Sequence, residues 1–520
     1  MIQSVRAVLV SLTPLSAPHP LEPPMRLLAT LCVPLLLSSP SYAADPPADA
    51  PLAVHRPAPA ADLGPVLSTL KKNRLFGAAS VGFQVVDLET GEEVFAHGAD
   101  DALNPASTMK VVTSATALKV LGPSYRFTTD IYTDGEVDAA GTLKGNLYIE
   151  GHGDPTMVVE KLWKLVGDLK LEGIERIDGS VVFDEDFHAG GYQLPGWNKP
   201  EDIKRGPSYF STLSALSLNF NTAAIVVGPG AEVGKAARVR LETPVGGAVK
   251  LVNEVKTVAE TGRRGVMLER EVADDGTTTF TAKGTVPLLS GHDKYYRTVA
   301  DPTAQYMGAV QELMKQHGIG VTGRFKRGDT PDDADRLMQL RSPSLATILM
   351  DMNKLSNNFI AEQVLRTLGA EVEGEGSAEK GLVVVARYLE ELGIDASGLS
   401  LVNGSGLSRS ATLQPSALTA VLFDMARDPQ VGQEFASSLA IAGYDGTLWS
   451  RLRDEPGRLR GKTGTIDGVH CLAGYVEDGK GRRYAFAFMV NDHGGRVRSV
   501  KDLHDRFART MFKWGDDEAE

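Results

Sequence analysis

Three short stretches hold residue types that together could cut an amide bond. In "NPASTMKVVTSATAL", Ser107 stands three positions ahead of Lys110. Residues three apart on a helix share a face, so the amine can reach the hydroxyl. A serine at its ordinary pKa is a poor nucleophile and needs a base beside it. A lysine can serve once burial or nearby cations favour its neutral form. Ser107 falls in a first helical turn, where unpaired N–H groups and the positive helix end gather, a setting that suits a developing oxyanion. In "KLSNNFIAE", Ser356 precedes Asn358 by two. This hydroxyl and amide could relay a proton and hold a peptide carbonyl, or could equally cap a helix. In "RGKTGTIDGVHCLAGY", Lys462, Thr463, Gly464 and Thr465 lead into a strand. A cation and hydroxyls can grip a carboxylate, and a glycine inside a strand lets another backbone approach.

Each spacing taken alone is weak. Ser68 and Lys71 repeat the first in "STLKKNRLFG", which reads as a solvated helix end, and Ser217-Leu218-Asn219 repeats the second. The K-T-G occurs once. Competing chemistries lack their patterns. There is no G-x-S-x-G elbow, and His470 reads as a packed strand residue rather than a base. "FDEDFH" clusters Asp184, Asp186 and His188, but without an H-E-x-x-H or a cysteine pair no metal is expected. "GPGAEVGK" has the wrong spacing for a phosphate loop. No cofactor is called for.

These motifs need elements to hold them. "SVGFQVVDLETGEEVFAHG" reads as two strands around a Glu-Thr-Gly turn, followed by the helix of Ser107, which Gly122-Pro123 ends. From about 126 to 290 short strands alternate with Gly, Asp and Asn turns, and only "MVVEKLWKLVGDLK" looks helical there; this block reads as a strand-rich inserted domain or domains. Helical texture then returns. The chain closes with the strands "GVHCLAGYVED" and "RRYAFAFMVND" and a helix near "VKDLHDRFARTMFKW". Strands at both ends with helices between them imply one sheet built from both termini. The fold class is α+β and multi-domain, with a discontinuous peptidase domain over 61–125 and 291–520. Leu503, Phe507, Met511 and Trp514 form one face of the last helix, which is expected to pack on that domain.

Residues 25–43, "MRLLATLCVPLLLSSPSYA", have the positive start, short apolar run and small-residue end of a secretory signal, so 1–43 is expected to be pre-sequence cut after Ala43. Residues 44–60 are Pro/Ala-rich and read as a flexible leader. No later stretch reaches the length of a membrane helix. The protein is therefore expected to be exported, in the periplasm or cell-wall space. The net charge of −12 argues against nucleic acid as a partner. Of two cysteines, Cys32 and Cys471, only Cys471 outlasts the cut, so no intramolecular disulfide follows.

A nucleophile with a lysine base, a Ser/Asn relay and a carboxylate grip describe acyl transfer at a peptide C-terminus. Their order, S-x-x-K, S-x-N, K-T-G, is that of penicillin-interacting serine enzymes. With "GHGDPT", "SALSLNFN", "NGSGLSR", "GYDGTL" and "GKTGTIDGVHCLAGYV", the chain resembles the class C low-molecular-mass penicillin-binding proteins, the D-alanyl-D-alanine carboxypeptidase/endopeptidase family. The long interval between Ser107 and Ser356, filled by the strand-rich block, fits this family better than β-lactamases. The resemblance implies a penicillin-binding, serine β-lactamase-like domain with an antiparallel sheet. It implies peptidoglycan stem peptides and cross-links as substrates, and β-lactam antibiotics as acylating agents. In residues, it implies Ser107 as nucleophile, Lys110 as base, and Ser356 and Asn358 as relay and orienter. Lys462 with Thr463 would hold the substrate carboxylate, the N–H groups of Ser107 and Thr465 the oxyanion. Asp184, Phe187 and Arg409 would be outer substrate contacts. The middle residue Asn357 and the lack of an E-x-x-L-N segment imply slow loss of bound penicillin.

Overall fold

The computed structural model describes residues 63–197 and 199–514; the expected signal and leader, 1–60, lie outside them. A six-stranded antiparallel sheet runs in the order Ala440–Ile441, Leu459–Ile466, Val469–Glu477, Arg483–Asn491, Ser80–Asp87, Glu93–His97. The N-terminal hairpin pairs with the last strand, Ser80 opposite Asn491 and Asp87 opposite Tyr484. The sheet is thus assembled from both ends of the chain. Arg483–Asn491 is apolar almost throughout because both faces are covered. On one face lies the Val497–Lys513 helix, which buries Leu503, Phe507 and Met511 against Phe83 and Phe488, with Trp514 packed beside them. On the other face lie the helices Met109–Leu121, Leu345–Lys354, Asn358–Glu373 and Pro415–Arg427.

The Met109–Leu121 helix has no polar face: every side chain from Met109 to Leu118 is buried. A helix apolar all round belongs in the middle of a core, and this one carries Lys110 in with it.

The inserted part holds two further cores. A five-stranded mixed sheet, in the order Phe325–Arg327, Val181–Asp184, Leu147–Gly151, Thr128–Thr133, Asp335–Arg341, packs under the helices Val159–Leu171 and Pro302–His317. Two three-stranded sheets close around Ile225, Phe280 and Val286. One boundary differs from expectation. Thr128–Thr133 pairs with Asp335–Arg341, and Tyr306, Val310 and Leu313 fill the inserted core. By packing, the insertion therefore runs to Arg341 rather than 290. A helical texture read locally cannot tell which core its apolar face will join. A short helix, Pro200–Arg205, also sits inside the insertion, too brief to show a period.

Candidate active site

Ser107 sits in a one-turn 3-10 segment, Ala106–Thr108, that runs directly into the Met109–Leu121 helix. The turn is held under tension. Ala106 has φ +44°, a left-handed conformation costing a non-glycine residue about 1 kcal/mol. The Asn104 side chain accepts from the Ala106 N–H at 2.9 Å. Asn491 locks Asn104 in turn, accepting from its N–H at 2.7 Å and donating to its carbonyl at 3.1 Å.

The Lys110 amine donates to Ser107 Oγ (3.1 Å), Asn358 Oδ1 (2.7 Å) and the Ser405 carbonyl (2.7 Å). It is fully buried. Desolvation lowers its pKa to about 7, against a weaker upward pull from Glu362. At neutral pH a large share of it is therefore a free base poised on the serine.

Ser356 and Asn358 lie where the Leu345–Lys354 helix meets Asn358–Glu373. Ser356 adopts φ +58°, which turns its hydroxyl into the cleft. Capping and chemistry divide within the motif: Asn357 is the N-cap, accepting from the Ile360 N–H at 3.1 Å, while its neighbours face the site. Asn358 Nδ2 also donates to the Tyr209 carbonyl of the insertion at 2.9 Å.

The strand Leu459–Ile466 passes against the Ser107 turn. A Cβ on Gly464 would lie 2.7 Å from the Pro105 carbonyl oxygen and 3.2 Å from the Ser107 nitrogen, so glycine is required by close approach. Side chains alternate along a strand, which separates the K-T-G residues. Lys462 and Gly464 face the helical layer. Thr463 Oγ1 donates to Thr447 Oγ1 (2.8 Å), and Thr465 Oγ1 pairs with His470 Nδ1 (2.7 Å). Lys462 is fully buried and donates to Ser356 Oγ (2.8 Å) and the Thr463 carbonyl (2.7 Å). Its pKa is pushed well down, first by desolvation and then by repulsion from Lys110. Lys462 stands behind Ser356, and of the three only Thr465 lines the cleft.

That cleft has a volume of about 600 Å³ and is lined by Ser107, Ser356, Asn358 and Thr465, with Trp197, Lys199 and Tyr209 from the insertion. Arg409 stands just outside it, over the Trp197 ring at 5.9 Å and paired with Asp467 at 2.9 Å. Asp184 and Phe187 do not line it. Asp184 ends a buried strand and accepts from the N–H groups of Thr330 (2.6 Å) and Asp186 (3.1 Å). Phe187 packs edge-on against His152, ring centres 5.0 Å apart. The bonds that close the Thr330 turn occupy the acid expected to reach the cleft. Burial lowers His470 to about 3 and raises Cys471 to about 12; neither is a base or a nucleophile at neutral pH. The lookalike Ser68 caps back onto the Gly64 carbonyl at 2.7 Å, and Ser217 onto Ser214 at 2.7 Å.

The loop "NGSG", 403–406, was read only for its arginine neighbour, yet it forms the floor under Lys110. Thr113 Oγ1 donates to the Gly404 carbonyl (2.7 Å). Asn403 Oδ1 accepts from the Gly406 N–H (2.9 Å), and its Nδ2 donates to the Pro195 carbonyl (2.8 Å). Asn403 is thus a hinge pin between the loop and the insertion, a task for a side-chain amide rather than a carboxylate.

Comparison with known proteins agrees with this architecture. A D-alanyl-D-alanine carboxypeptidase of an Actinomadura species is 33% identical over 442 residues, 82% of this chain and 80% of that protein. The D-alanyl-D-alanine carboxypeptidase DacB of Haemophilus influenzae is 24% identical over 436 residues, 83% of this chain and 88% of its own. The crystal structure of penicillin binding protein 4 (dacB) from Haemophilus influenzae shares the fold, with a TM-score of 0.74 at 23% identity over 86% of this chain and 99% of that one. The model of the D-Ala-D-Ala carboxypeptidase 3 (S13) family matches residues 65–511, and the chain belongs to that family of serine peptidases.

Proposed function

We propose that this enzyme cleaves the terminal D-alanyl-D-alanine bond of peptidoglycan stem peptides, and D-alanyl cross-links between them, through an acyl-enzyme on Ser107. The observation that carries the assignment of roles is the lysine pair. Lys110 reaches Ser107 Oγ and Lys462 reaches Ser356 Oγ, in a pocket too dry for two ammonium ions to be held cheaply. Neutral Lys110 takes the Ser107 proton as Oγ attacks the carbonyl carbon. The N–H groups of Ser107 and Thr465 hold the oxyanion, and Asn358 orients the substrate amide. Ser356 passes its proton to the leaving nitrogen as the C–N bond breaks and regains one from the Lys110 ammonium formed in the first step, while Lys462 holds the Ser356 oxygen in place. Thr465 receives the terminal carboxylate. Water then attacks the acyl carbon and releases the shortened peptide. β-Lactams enter by the same attack, and their acyl-enzyme persists because no glutamate of an E-x-x-L-N segment activates water. The signal pattern of 25–43 places this work outside the cytoplasm, in the periplasm or cell-wall space; no helix among the described residues is long and apolar enough to cross a membrane.

A labelled penicillin incubated with the parent and with Ser107→Ala tests the reading, alongside whole muropeptides whose products are identified by mass. The expected outcome is a stable label on the parent alone and loss of D-alanine or splitting of dimers. Label on Ser107→Ala, or turnover of penicillin within seconds, would overturn it.

A further inference from the structure

The helix Asn358–Glu373 presents a second polar residue one turn beyond Asn358. Glu362 is wholly buried, and burying a carboxylate is expensive unless something specific requires it. Its two oxygens accept from the Ser405 N–H (2.7 Å) and the Gly404 N–H (3.2 Å). These peptide groups belong to the loop whose Ser405 carbonyl accepts from Lys110. The loop has no freedom to settle elsewhere. A Cβ on Gly406 would lie 1.8 Å from the Ala106 carbonyl oxygen, and one on Gly404 would lie 2.8 Å from that of Ala361. It is pressed between the nucleophile's turn and the helix that carries Glu362.

We propose that Glu362 is a positioning residue for the acylation base: its buried carboxylate fixes the 404–405 peptides so that the Ser405 carbonyl aims Lys110 at Ser107. The inference rests on the role given above to Lys110. The charged groups that bear on this pocket are few. Lys110 comes from its own helix, Lys462 from the strand facing it, and Arg366 lies one turn along from Glu362, its pKa lowered by burial against an upward pull from Glu362. From the loop side come the Ser405 hydroxyl and the N–H groups of 404 and 405. Glu362 is thus the counter-charge to Lys110 and Arg366. Burial raises its own proton affinity, and the loop N–H groups and Lys110 oppose that. The ionised carboxylate pulls the Lys110 pKa upward; without it the amine is a weaker base, neutral down to lower pH.

Two variants separate this role from simple support of the fold. Glu362→Gln keeps an acceptor for the Ser405 N–H and removes the charge. Its penicillin acylation rate is expected to fall at neutral pH, and the acid limb of its pH profile is expected to move to lower pH by about one unit or more, the effect of losing one nearby opposite charge. Glu362→Asp keeps the charge on a shorter stem. It is expected to lose rate while its acid limb stays within a few tenths of a pH unit of the parent's. If Glu362→Gln shows the parent's pH profile, or Glu362→Asp shifts as far as Glu362→Gln, the proposal is overturned, whatever happens to stability. Covalent labelling of Ser107→Ala would instead sink the acyl-enzyme reading itself.

Discussion

Placing a lysine in the driest part of the molecule has a thermodynamic signature that is separable from catalysis. The ordinary Lys110 pKa of 10.5 falls to about 7 in the folded protein, chiefly through burial. Between those values the unfolded chain binds a proton that the folded chain does not, so stability rises with pH across that window and the contribution is flat below about pH 7. One such group changes the unfolding free energy by about 1.4 kcal/mol per pH unit. Replacing Lys110 with methionine keeps the stem's bulk and removes the titration. Ionisations remote from Lys110 cancel in the difference, whereas those of Lys462 and Glu362, which interact with it, shift in the variant. Urea unfolding of parent and Lys110→Met in parallel should therefore show the parent gaining about 2–3 kcal/mol on the variant between about pH 7.5 and about pH 9.5. Between pH 5 and pH 6.5 the difference should be constant. The variant should also acylate more slowly by about 10²–10⁴-fold, the range for a lost general base, and the parent's acylation rate should drop about tenfold per pH unit below about 7. A stability difference independent of pH would show that Lys110 is protonated in the folded state and would refute its role as a free base.

Gly464→Ala should destabilise the protein by about 1–3 kcal/mol through overpacking and slow acylation at least about tenfold, because the new methyl must push the strand off the Ser107 turn; calorimetry and penicillin labelling measure the two. Asn491→Ala should cost about 1–3 kcal/mol, since it strands the buried N–H and carbonyl of Asn104, and should slow acylation by relaxing the turn at Ala106. Ser356→Ala should fold as the parent does and still form the Ser107 adduct, at a rate lower by about 10²-fold or more. Arg409→Ala should leave the melting temperature unchanged, since its pair with Asp467 is exposed and worth under about 1 kcal/mol, while raising KM for a stem peptide.

What the sequence carries most clearly is chemistry tied to short spacing. Ser107 and Lys110 meet because a helix brings positions three apart together, and Gly464 reports a close approach because nothing larger fits there. The sheet assembled from both termini was also legible, since alternation and strand-length apolar runs mark its members. Direction is harder to read. The sequence grouped Lys462, Thr463 and Thr465 as one grip, but strand geometry sends neighbours to opposite faces, and only contact with Ser356 shows which face is the working one. Asp184 and Phe187 failed for a related reason: a motif names residue types, whereas the cleft wall is set by how the insertion docks, and that docking brings Trp197, Lys199 and Tyr209 instead.

The residues missed outright act through the main chain. Any residue at position 405 would offer Lys110 a carbonyl, so no side chain at 405 advertises the contact. Asn104 and Asn491 clasp each other's neighbourhoods across nearly the whole length of the chain, with no pattern linking them beforehand. Glu362 did leave a trace: it is a charged residue on a helix face that also carries Phe359 and Leu365 of the core. A carboxylate that far inside must answer to something. Here it answers to two backbone N–H groups and, through them, to the amine on which the reaction turns. The site is therefore a chain of dependence in which the serine relies on the lysine, the lysine on a carbonyl, and the carbonyl on a buried acid.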